Sequence, residues 1–462
     1  MTERFDLVVL GGGPGGYAAA LYGAAAGLRV ALVEEQRVGG TCLHRGCIPA
    51  KELLQTAEVL RTVTGAARFG VVVEPPTLDL AVALERQQQV VDRLTKGLET
   101  LLRGREVTVF PQRGVVADAA AHRVRLDDGT EVEGRGLVLA TGSAPRAFPG
   151  LAFDGVRVLS SDHVLRLGEV PARTVIIGGG AIGCEFASYL ADVGSRVTVL
   201  EALPGILPGV DPEAAAIVGR LFKRRRITVH TGASVEGATT GEDGVVVRAT
   251  VDAAPLEVEA DVVVVSIGRT PRTAGIGLEG SGVVVDPRGH IEVDAAMRTA
   301  VPRVYAVGDV VDSPALAHVA FAEAMVAVRD LLGEDPQPID YGRVPWGIYC
   351  HPEVAFCGLT EEAARAAGHE VVTSVHRFAG NSRAQIMQEA DGLVKVVATA
   401  GGVLLGVHIV GPWATEQLGA GYLAVNWEAT VADLAPLVQP HPTLGELFGE
   451  SVLALTGRAL HG

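Results

Sequence analysis

DLVVLGGGPGGYAAALYGAAAGLRVALVEE, residues 6–35, reads as a short apolar strand, a glycine-rich turn, a helix and a second strand. Its glycines fit the pattern G-x-G-x-x-G at Gly11, Gly13 and Gly16, and Glu34 ends the second strand. Such glycines allow a tight turn and a close backbone approach to a pyrophosphate at a helix N-terminus. An acid at this distance accepts hydrogen bonds from ribose hydroxyls. The stretch therefore predicts a Rossmann-like unit that binds a dinucleotide.

The same fingerprint occurs a second time, in TVIIGGGAIGCEFASYLADVGSRVTVLE, residues 174–201. Gly178, Gly180 and Gly183 take the glycine positions and Glu201 takes the acidic one. Two such units indicate two dinucleotides with electron transfer between them, and the alternative is a decayed duplicate. A carboxylate at residue 201 would repel a 2′-phosphate, so the second unit is predicted to bind NAD rather than NADP.

Two cysteines, Cys42 and Cys47, lie between these units in GGTCLHRGCIPAK, residues 39–51. An ideal helix would separate their Cα atoms by about 8–9 Å, whereas a disulfide tolerates up to about 7 Å. Closing the pair therefore requires a departure from regular helix, which Gly46 makes easier. A helix N-terminus here would lower a thiol pKa and favour the reactive thiolate. The alternatives are two buried thiols or a structural disulfide.

Composition excludes several classes of protein. The 462 residues suit about three domains, and 39 basic against 54 acidic residues give a formal charge of −15, which argues against a nucleic-acid partner. Five cysteines do not form a secreted disulfide framework. Residues 7–28 carry no charge but contain seven glycines and Pro14, so we expect strand, turn and helix rather than a membrane span. No targeting peptide is visible, and we expect a cytoplasmic protein.

Two further segments approach the first fingerprint. LVLATGSAPR, residues 137–146, is an apolar strand that breaks at Thr141 and Gly142 and would close off the first nucleotide site. In VYAVGDVVDSPALAHVAFAEA, residues 304–324, a strand delivers Asp309 to a turn before a helix. That acid could bind the polyol portion of a cofactor, and the alternative is an ordinary turn or N-cap residue.

From about residue 341 the sequence indicates an α+β domain without a nucleotide fingerprint. Strands are predicted around Cys350 and Cys357, with helices at TEEAARAAG and TEQLGAGYLAVNWEA. The two cysteines are expected only to pack, as is Cys184 in the second fingerprint. No metal site is predicted, because His351 alone offers too few additional ligands.

In this order the motifs resemble those of the dihydrolipoamide dehydrogenases, within the FAD-dependent pyridine nucleotide–disulfide oxidoreductases. They run GGGPGG, GGTCLHRGCIPAK, ATG, GGGAIGCEF, SIGR, YAVGD, HPEVAFCGLT and HPTLGE. The resemblance implies an α/β fold with two Rossmann-like dinucleotide-binding domains plus a C-terminal α+β dimerisation domain. It places an FAD-binding domain with the redox-active disulfide at 1–150, an NAD-binding domain at 151–272, a second FAD-binding segment at 273–340 and the dimerisation domain at 341–462.

The resemblance also implies roles for single residues. FAD would lie across the first fingerprint and NAD across the second. The further cofactor-binding positions are Gly40, Thr41, Lys51, Thr141, Gly142, Gly268, Asp309, Ala317 and His318. Cys47 would face the flavin, Cys42 would exchange with the substrate, and Lys51 would pair with Glu185. His441 would be the acid–base group and Glu446 its orienting carboxylate.

Two positions depart from the family pattern: Gln439 stands where a second histidine usually precedes the base, and His44 replaces a common asparagine. The implied reaction is oxidation of dihydrolipoamide with reduction of NAD⁺, in a homodimer that binds the lipoyl and subunit-binding domains of a dihydrolipoyl acyltransferase. The alternatives are reductases for glutathione, mercury or mycothione, or a redox-silent flavoprotein scaffold. A glutathione reductase would be expected to prefer NADP, which Glu201 disfavours. A mercuric reductase would be expected to have a cysteine pair near the C-terminus, and none occurs after Cys357. Mycothione reductase stays open.

Overall fold

The computed structural model describes residues 2–461. Its strands are β1 (Thr2–Arg4), β2 (Leu7–Leu10), β3 (Val30–Val33), β4 (Thr108–Phe110), β5 (Gly114–Asp118), β6 (Arg123–Leu126), β7 (Glu131–Glu133), β8 (Gly136–Leu139), β9 (Ser143–Pro145), β10 (Val158–Leu159), β11 (Arg173–Ile177), β12 (Arg196–Leu200), β13 (Thr228–His230), β14 (Ser234–Gly241), β15 (Gly244–Val251), β16 (Ala254–Ala260), β17 (Val262–Val265), β18 (Arg269–Pro271), β19 (Val304–Ala306), β20 (Trp346–Ile348), β21 (Glu353–Gly358), β22 (Val371–Arg377), β23 (Leu393–Thr399) and β24 (Leu404–Gly411).

The α-helices are α1 (Pro14–Ala25), α2 (Gly40–Arg45), α3 (Cys47–Thr64), α4 (Leu80–Gly104), α5 (Ser161–Val164), α6 (Ala181–Asp192), α7 (Pro212–Arg224), α8 (Ala317–Leu331), α9 (Glu361–Ala366), α10 (Ser382–Met387), α11 (Ala414–Asn426), α12 (Val431–Leu434) and α13 (Glu446–Ala454). Short 3₁₀ turns cover Ala66–Phe69, Tyr341–Arg343 and Phe378–Gly380. Within residues 2–461 no helix is long and apolar enough to cross a membrane.

The chain forms two compact units. The first comprises the described residues up to Leu53, Asp79–Arg146 and Gly268–Tyr341. Its central sheet is parallel, in the order β19-β8-β2-β3-β4. Strands β2, β3 and β8 are buried along their whole length, as expected of parallel strands covered on both faces. A smaller sheet, β1-β7-β6-β5, and the ribbon β18-β9 complete the unit.

The second unit comprises Leu54–Leu78, Ala147–Ile267 and the described residues from Gly342. It repeats the parallel architecture in a sheet ordered β10-β17-β11-β12-β13 and adds the antiparallel sheet β14-β15-β16. A third sheet, β20-β21-β24-β23-β22, is antiparallel throughout, and its core includes Val407, Leu418 and Val452. The α/β class with two Rossmann-like sheets and a C-terminal α+β part is therefore confirmed.

Several local predictions are settled by these elements. The uncharged stretch from Leu7 forms β2, a glycine turn and α1, and the helices predicted near residues 360–368 and 415–429 are α9 and α11. Residues 71–79 interrupt the helical region that was predicted to run to about residue 104. Cys350 lies after β20 rather than on a strand, since the chain bends there. The segment boundaries after residues 150, 272 and 340 stay predictions.

Candidate active site

The first fingerprint forms a tight turn, here called the first cradle (residues 11–16). Close packing against other protein atoms requires glycine at two of its positions. Gly11 has φ +104°, and a Cβ on it would lie 2.3 Å from the carbonyl oxygen of Ala140. A Cβ on Gly16 would lie 1.8 Å from the carbonyl oxygen of Gly11. A Cβ on Gly13 would meet nothing closer than 3.9 Å, so this glycine leaves space beside the turn. Helix α1 begins directly after Gly13 without a side-chain cap, which suits a pyrophosphate at its N-terminus.

Glu34 fixes the cradle from the end of β3. Its Oε2 accepts a hydrogen bond of 2.6 Å from the amide of Gly12, and its Oε1 accepts one of 2.8 Å from the amide of Gln36. Each carboxylate oxygen has a second lone pair, so the side chain can still accept hydrogen bonds from ribose hydroxyls. The sequence pattern predicted the ligand contact but not this structural role.

The backbone of the second fingerprint, here called the second cradle, has nearly the same dihedral angles as the first. Gly178 also has φ +104°, and Gly180 has φ −73° and ψ −172°, against −71° and −173° at Gly13. A Cβ on Gly183 would lie 1.9 Å from the carbonyl oxygen of Gly178. Glu201 accepts from the amide of Gly179 at 2.5 Å and from that of Leu203 at 2.8 Å. This geometry is intact, which argues against a decayed duplicate.

The segments 137–146 and 304–324, which both belong to the first unit, meet at Asp309. Its carboxylate accepts a hydrogen bond from the Ser143 hydroxyl and lies 3.5 Å from Nε of Arg269, which also donates to Ser143 Oγ at 2.6 Å. Gly308, with φ +74°, makes the preceding turn and donates its amide to Glu323 at 2.6 Å. Glu323 is fully buried, and burial raises its pKa. Sequence reasoning missed Arg269 and Glu323, because no local pattern connects them to Asp309.

Other predicted cofactor positions follow strands β8 and β17 or begin helix α8. The hydroxyl of Thr141 donates to the carbonyl of Arg272 at 2.7 Å, and the amide of Arg272 donates to the carbonyl of Gly142 at 2.8 Å. Gly268 has φ +112°, and its carbonyl accepts from the amide of Arg146 at 3.0 Å. Helix α8 begins at Ala317, next to His318, without a side-chain cap.

The cysteine segment packs directly on the first cradle. The amide of Gly39 donates to the carbonyl of Gly12 at 2.7 Å. Gly40 has φ +56°, and a Cβ on it would lie 2.5 Å from the Cα of Gly13. Thr41 follows in α2. The glycines before Cys42 therefore bring the cysteine pair against the turn that is predicted to hold a cofactor.

The backbone breaks between the two cysteines, as the spacing predicted. Helix α2 ends at Arg45, Gly46 adopts φ −144° and ψ −114°, and α3 begins at Cys47. A Cβ on Gly46 would approach the carbonyl oxygen of Thr41 to 3.0 Å and the Cα of Cys42 to 3.4 Å. Glycine at this position thus lets the second helix start close to the first cysteine.

The electrostatics of the pair distinguish its two sulfurs. A hydrogen bond to Cys47, and then burial, raise the pKa of the Cys42 thiol, while the Lys51 ammonium opposes this shift. Cys47 is the first residue of an 18-residue helix, where the helix dipole favours a negative charge. Both effects would favour the proton on Cys42 and a negative charge on Cys47. Tyr17 lies near both cysteines, which the sequence did not indicate. Burial, and then the negative charge of the two cysteines, raise its pKa to about 12.

His441 and Glu446 are brought together as predicted. Nδ1 of His441 lies 3.2 Å from Oε2 of Glu446, which also accepts from the amide of Thr443 at 3.3 Å. The histidine side chain is 69% exposed, against 16% for the carboxylate. A carboxylate on Nδ1 fixes the ring and leaves Nε2 to exchange protons at the surface.

Lys51 and Glu185 belong to different units, and their pairing stays a prediction. Glu185 is 7% exposed on α6 and accepts a hydrogen bond of 2.9 Å from the amide of Tyr349. His44, whose role the sequence left open, lies 2.9 Å through Nε2 from the carbonyl oxygen of Val38. It therefore fastens the turn before the cysteine segment.

The other three cysteines are packing residues. Cys184, Cys350 and Cys357 are buried, and each sulfur lies 3.0–3.2 Å from a backbone carbonyl oxygen. Burial and two arginines lower the pKa of the nearby His351 to about 3. In the part of the chain that the structure describes, no group of three His, Cys, Asp or Glu side chains could hold a metal ion.

Residues 5–324 match the family model "Pyridine nucleotide-disulphide oxidoreductase", and residues 344–452 match the dimerisation domain of that family. The chain belongs to the pyridine nucleotide-disulphide oxidoreductases. Its relatives include dihydrolipoyl dehydrogenase of Bacillus subtilis, 39% identical over 100% of both chains. The dihydrolipoyl dehydrogenase of Thermus scotoductus is 41% identical over 99% of both chains.

Solved structures of this family superpose over nearly the whole chain. LpdA from Mycobacterium tuberculosis has a TM-score of 0.90 at 27% identity, covering 98% of this chain and 99% of that one. The HOCl-induced flavoprotein disulfide reductase RclA from Escherichia coli has a TM-score of 0.85 at 26% identity, covering 97% and 99%. The predicted family, the fold, the oxidoreductase class and the use of FAD and NAD are confirmed.

Proposed function

We propose that this chain is a dihydrolipoyl dehydrogenase that oxidises protein-bound dihydrolipoamide to lipoamide and reduces NAD⁺ to NADH. The observation that carries this proposal is the cysteine pair at the Gly46 break, packed through Gly40 onto the first dinucleotide cradle. A second, intact cradle supplies a place for the electron acceptor. A redox-silent scaffold would require neither the cysteine pair nor its helix-start geometry.

The residues of the first unit fit FAD. The open side of Gly13 and the uncapped start of α1 accept a pyrophosphate, Glu34 offers lone pairs to a ribose, and Asp309 offers a carboxylate to a polyol chain. In the second unit Gly180 and Glu201 offer the same features to NAD. Bound FAD would supply two-electron transfer between the cysteine pair and NAD⁺.

The substrate half of the reaction is thiol–disulfide exchange. His441 removes a proton from dihydrolipoamide, and the resulting thiolate attacks Sγ of Cys42, which breaks the Cys42–Cys47 bond. The second substrate thiol then displaces Cys42, and lipoamide leaves as a disulfide. The two protons end on His441 and Cys42, and Cys47 carries the negative charge. The raised pKa of Cys42 and the helix N-terminus at Cys47 support this distribution.

The deciding experiment is a comparison of substrates on the FAD-loaded enzyme. Turnover with dihydrolipoamide and NAD⁺ should exceed turnover with the glutathione and mycothione couples by at least 100-fold. A preference for mycothione disulfide would replace the proposal with its nearest alternative. An anaerobic NADH titration provides a second readout, since a thiolate next to a flavin gives a long-wavelength band and a silent flavoprotein simply bleaches.

The proposal extends to partners. The matched dimerisation domain supports a homodimer. We expect it to receive substrate from a lipoyl domain and to be held by the subunit-binding domain of a dihydrolipoyl acyltransferase, in the cytoplasm. Co-purification of the full-length chain with such an acyltransferase would test this assembly.

Within the dimer, the cysteine pair of one subunit is proposed to work with the partner's His441. His441 is exposed and held by Glu446, as a group that acts on another surface would be. Cys42→Ala and His441→Ala homodimers should each turn over poorly. Mixed dimers would contain one intact site each, so random pairing should restore about a quarter of wild-type activity. No recovery would mean that the histidine acts on its own chain.

A further inference from the structure

The second unit contains a cavity that no fingerprint residue and no cysteine lines. A cavity of about 250 Å³ opens between α7 and the segments that flank β22 and β23. Its lining residues are Ile217, Arg220, Leu221, Arg224, Arg377, Ala379, Ala390, Asp391 and Gly392. At about 30 Å³ per water, the space corresponds to roughly eight waters, which suits a small molecule rather than a dinucleotide.

The charges around this cavity are unbalanced. Three of its side chains are arginines, and Asp391 is the single acid in the lining. Asp391 is already engaged, because both of its oxygens accept from Arg224, at 3.0 and 2.5 Å. Arg220 and Arg377 have no hydrogen-bond or ion-pair partner for their side chains among residues 2–461. Two unneutralised guanidinium groups therefore line one cavity.

The lack of partners contrasts with the charge of the whole chain. With 54 acidic and 39 basic residues, carboxylates are in excess, and Arg224 and Arg225 at the end of the same helix are ion-paired. Guanidinium groups that line one cavity without carboxylate partners attract an anion into it. Part of the lining is apolar, with Ile217 3% and Leu221 8% exposed, whereas Arg220 and Arg377 are exposed to solvent.

We propose that this cavity binds a small molecule with two or more anionic groups, held by Arg220 and Arg377. The planar guanidinium fork matches both carboxylate and phosphate oxygens, so either a polycarboxylate or a phosphate compound has the required chemistry. Because α7 packs on both β13 and β24, the ligand would bridge the helix of the nucleotide-binding part and the end of β22. This site is independent of the proposed reaction.

Isothermal titration calorimetry on the FAD-loaded enzyme tests the proposal. Saturating NAD⁺ keeps the anions out of the dinucleotide sites, and ionic strength is matched with chloride. Phosphate and pyrophosphate form one arm, and succinate and citrate the other. One arm should bind with defined stoichiometry of one per chain, and the stronger arm identifies the ligand class. Absence of binding in both arms at millimolar concentration would overturn the proposal.

Matched variants separate a built site from general surface charge. Arg220→Gln with Arg377→Gln should weaken binding at least tenfold. Lys223→Gln with Arg226→Gln removes the same charge from the same helix end, outside the cavity, and should change binding less than twofold. Equal weakening in both pairs would show nonspecific attraction and refute the site. Arg377→Gln alone serves if the double variant loses FAD.

Discussion

Two glycines of the second fingerprint, three residues apart, should fail for different reasons when replaced by alanine. A methyl group on Gly183 would lie 1.9 Å from the carbonyl oxygen of Gly178, and real Cβ contacts below 3.0 Å essentially do not occur. Helix α6 and the turn must therefore separate by about 1 Å. Among residues 2–461, no atom lies within 4 Å of a methyl group on Gly180, and the φ of −73° at this position suits any residue.

The expected magnitudes depend on these distances. Overpacking of this kind costs about 1–3 kcal/mol, so Gly183→Ala should lower the free energy of unfolding by that amount. NAD⁺ binding should weaken as a consequence, because the turn is displaced. Gly180→Ala should stay within about 1 kcal/mol of wild type, since a compatible Gly→Ala change restricts the unfolded chain while alanine caps a helix less well. Its methyl group occupies the side from which the pyrophosphate approaches, so Kd for NAD⁺ should rise about tenfold, or about 1.4 kcal/mol.

Urea denaturation and NAD⁺ titration of the two variants, both with full FAD content, provide the measurement. The contrast should reverse between the assays: Gly183→Ala is the less stable protein, and Gly180→Ala is a stable protein with weak NAD⁺ binding. A Gly180→Ala enzyme that binds NAD⁺ normally would refute the placement of the pyrophosphate. A Gly183→Ala enzyme as stable as wild type would refute the packing argument. The first fingerprint allows the same comparison, because a Cβ would lie 3.9 Å from its nearest neighbour on Gly13 and 1.8 Å on Gly16. The fraction of FAD that each variant retains is then the readout.

Three more predictions concern single side chains. Cys42→Ser should abolish lipoamide turnover yet still reduce an artificial acceptor with NADH, and parallel loss of both activities in a flavin-loaded protein would contradict the exchange role. Wild type should favour NADH over NADPH by at least 100-fold in kcat/KM, and Glu201→Gln should narrow this ratio while keeping one acceptor for the loop; a wild type that prefers NADPH would overturn the NAD assignment. Lys395, 3% exposed, lies 2.8–3.1 Å from Asp211, Glu213 and Glu361, so Lys395→Met should cost about 3–5 kcal/mol in urea denaturation by leaving the buried Asp211 carboxylate unpaired. Exposed Lys96→Met is its control, and a loss as small as that control's would mean that the cluster is well solvated.

Local steric requirements made much of this molecule readable from its sequence. Gly16 and Gly183 meet the carbonyls of Gly11 and Gly178, and the acids after β3 and β12 and the break at Gly46 likewise depend on contacts within one strand–turn–helix segment. The contact of His441 with Glu446 is of the same kind, since five residues of chain connect them. In these cases the sequence pattern and the physical constraint involve the same residues.

The predictions that were missing depend on contacts between distant parts of the chain. Arg269 reaches Ser143 across 126 positions, and Lys395 reaches Glu213 across 182. No periodicity or motif indicates such partners, because tertiary packing alone brings them together. The short helices α10, α12 and α13 were missed for a related reason: each is too short to show a helical period by itself.

The near-identity of the two cradles implies that the fingerprints do not by themselves assign a different task to each. The chain takes a different course after each fingerprint. After the first, the cysteine segment returns to the turn, and Gly40 packs against Gly13 so closely that a Cβ on Gly40 would lie 2.5 Å from the Cα of Gly13. After the second, no described residue lies within 4 Å of a Cβ built on Gly180, whereas Gly40 lies 3.9 Å from a Cβ built on Gly13. A covered cradle suits a resident group that must stay beside the thiols, and an open one suits a partner that exchanges in every turnover. On the proposed assignment, the cysteine segment would therefore lie at the site of the retained flavin and not at that of the exchanging nicotinamide nucleotide.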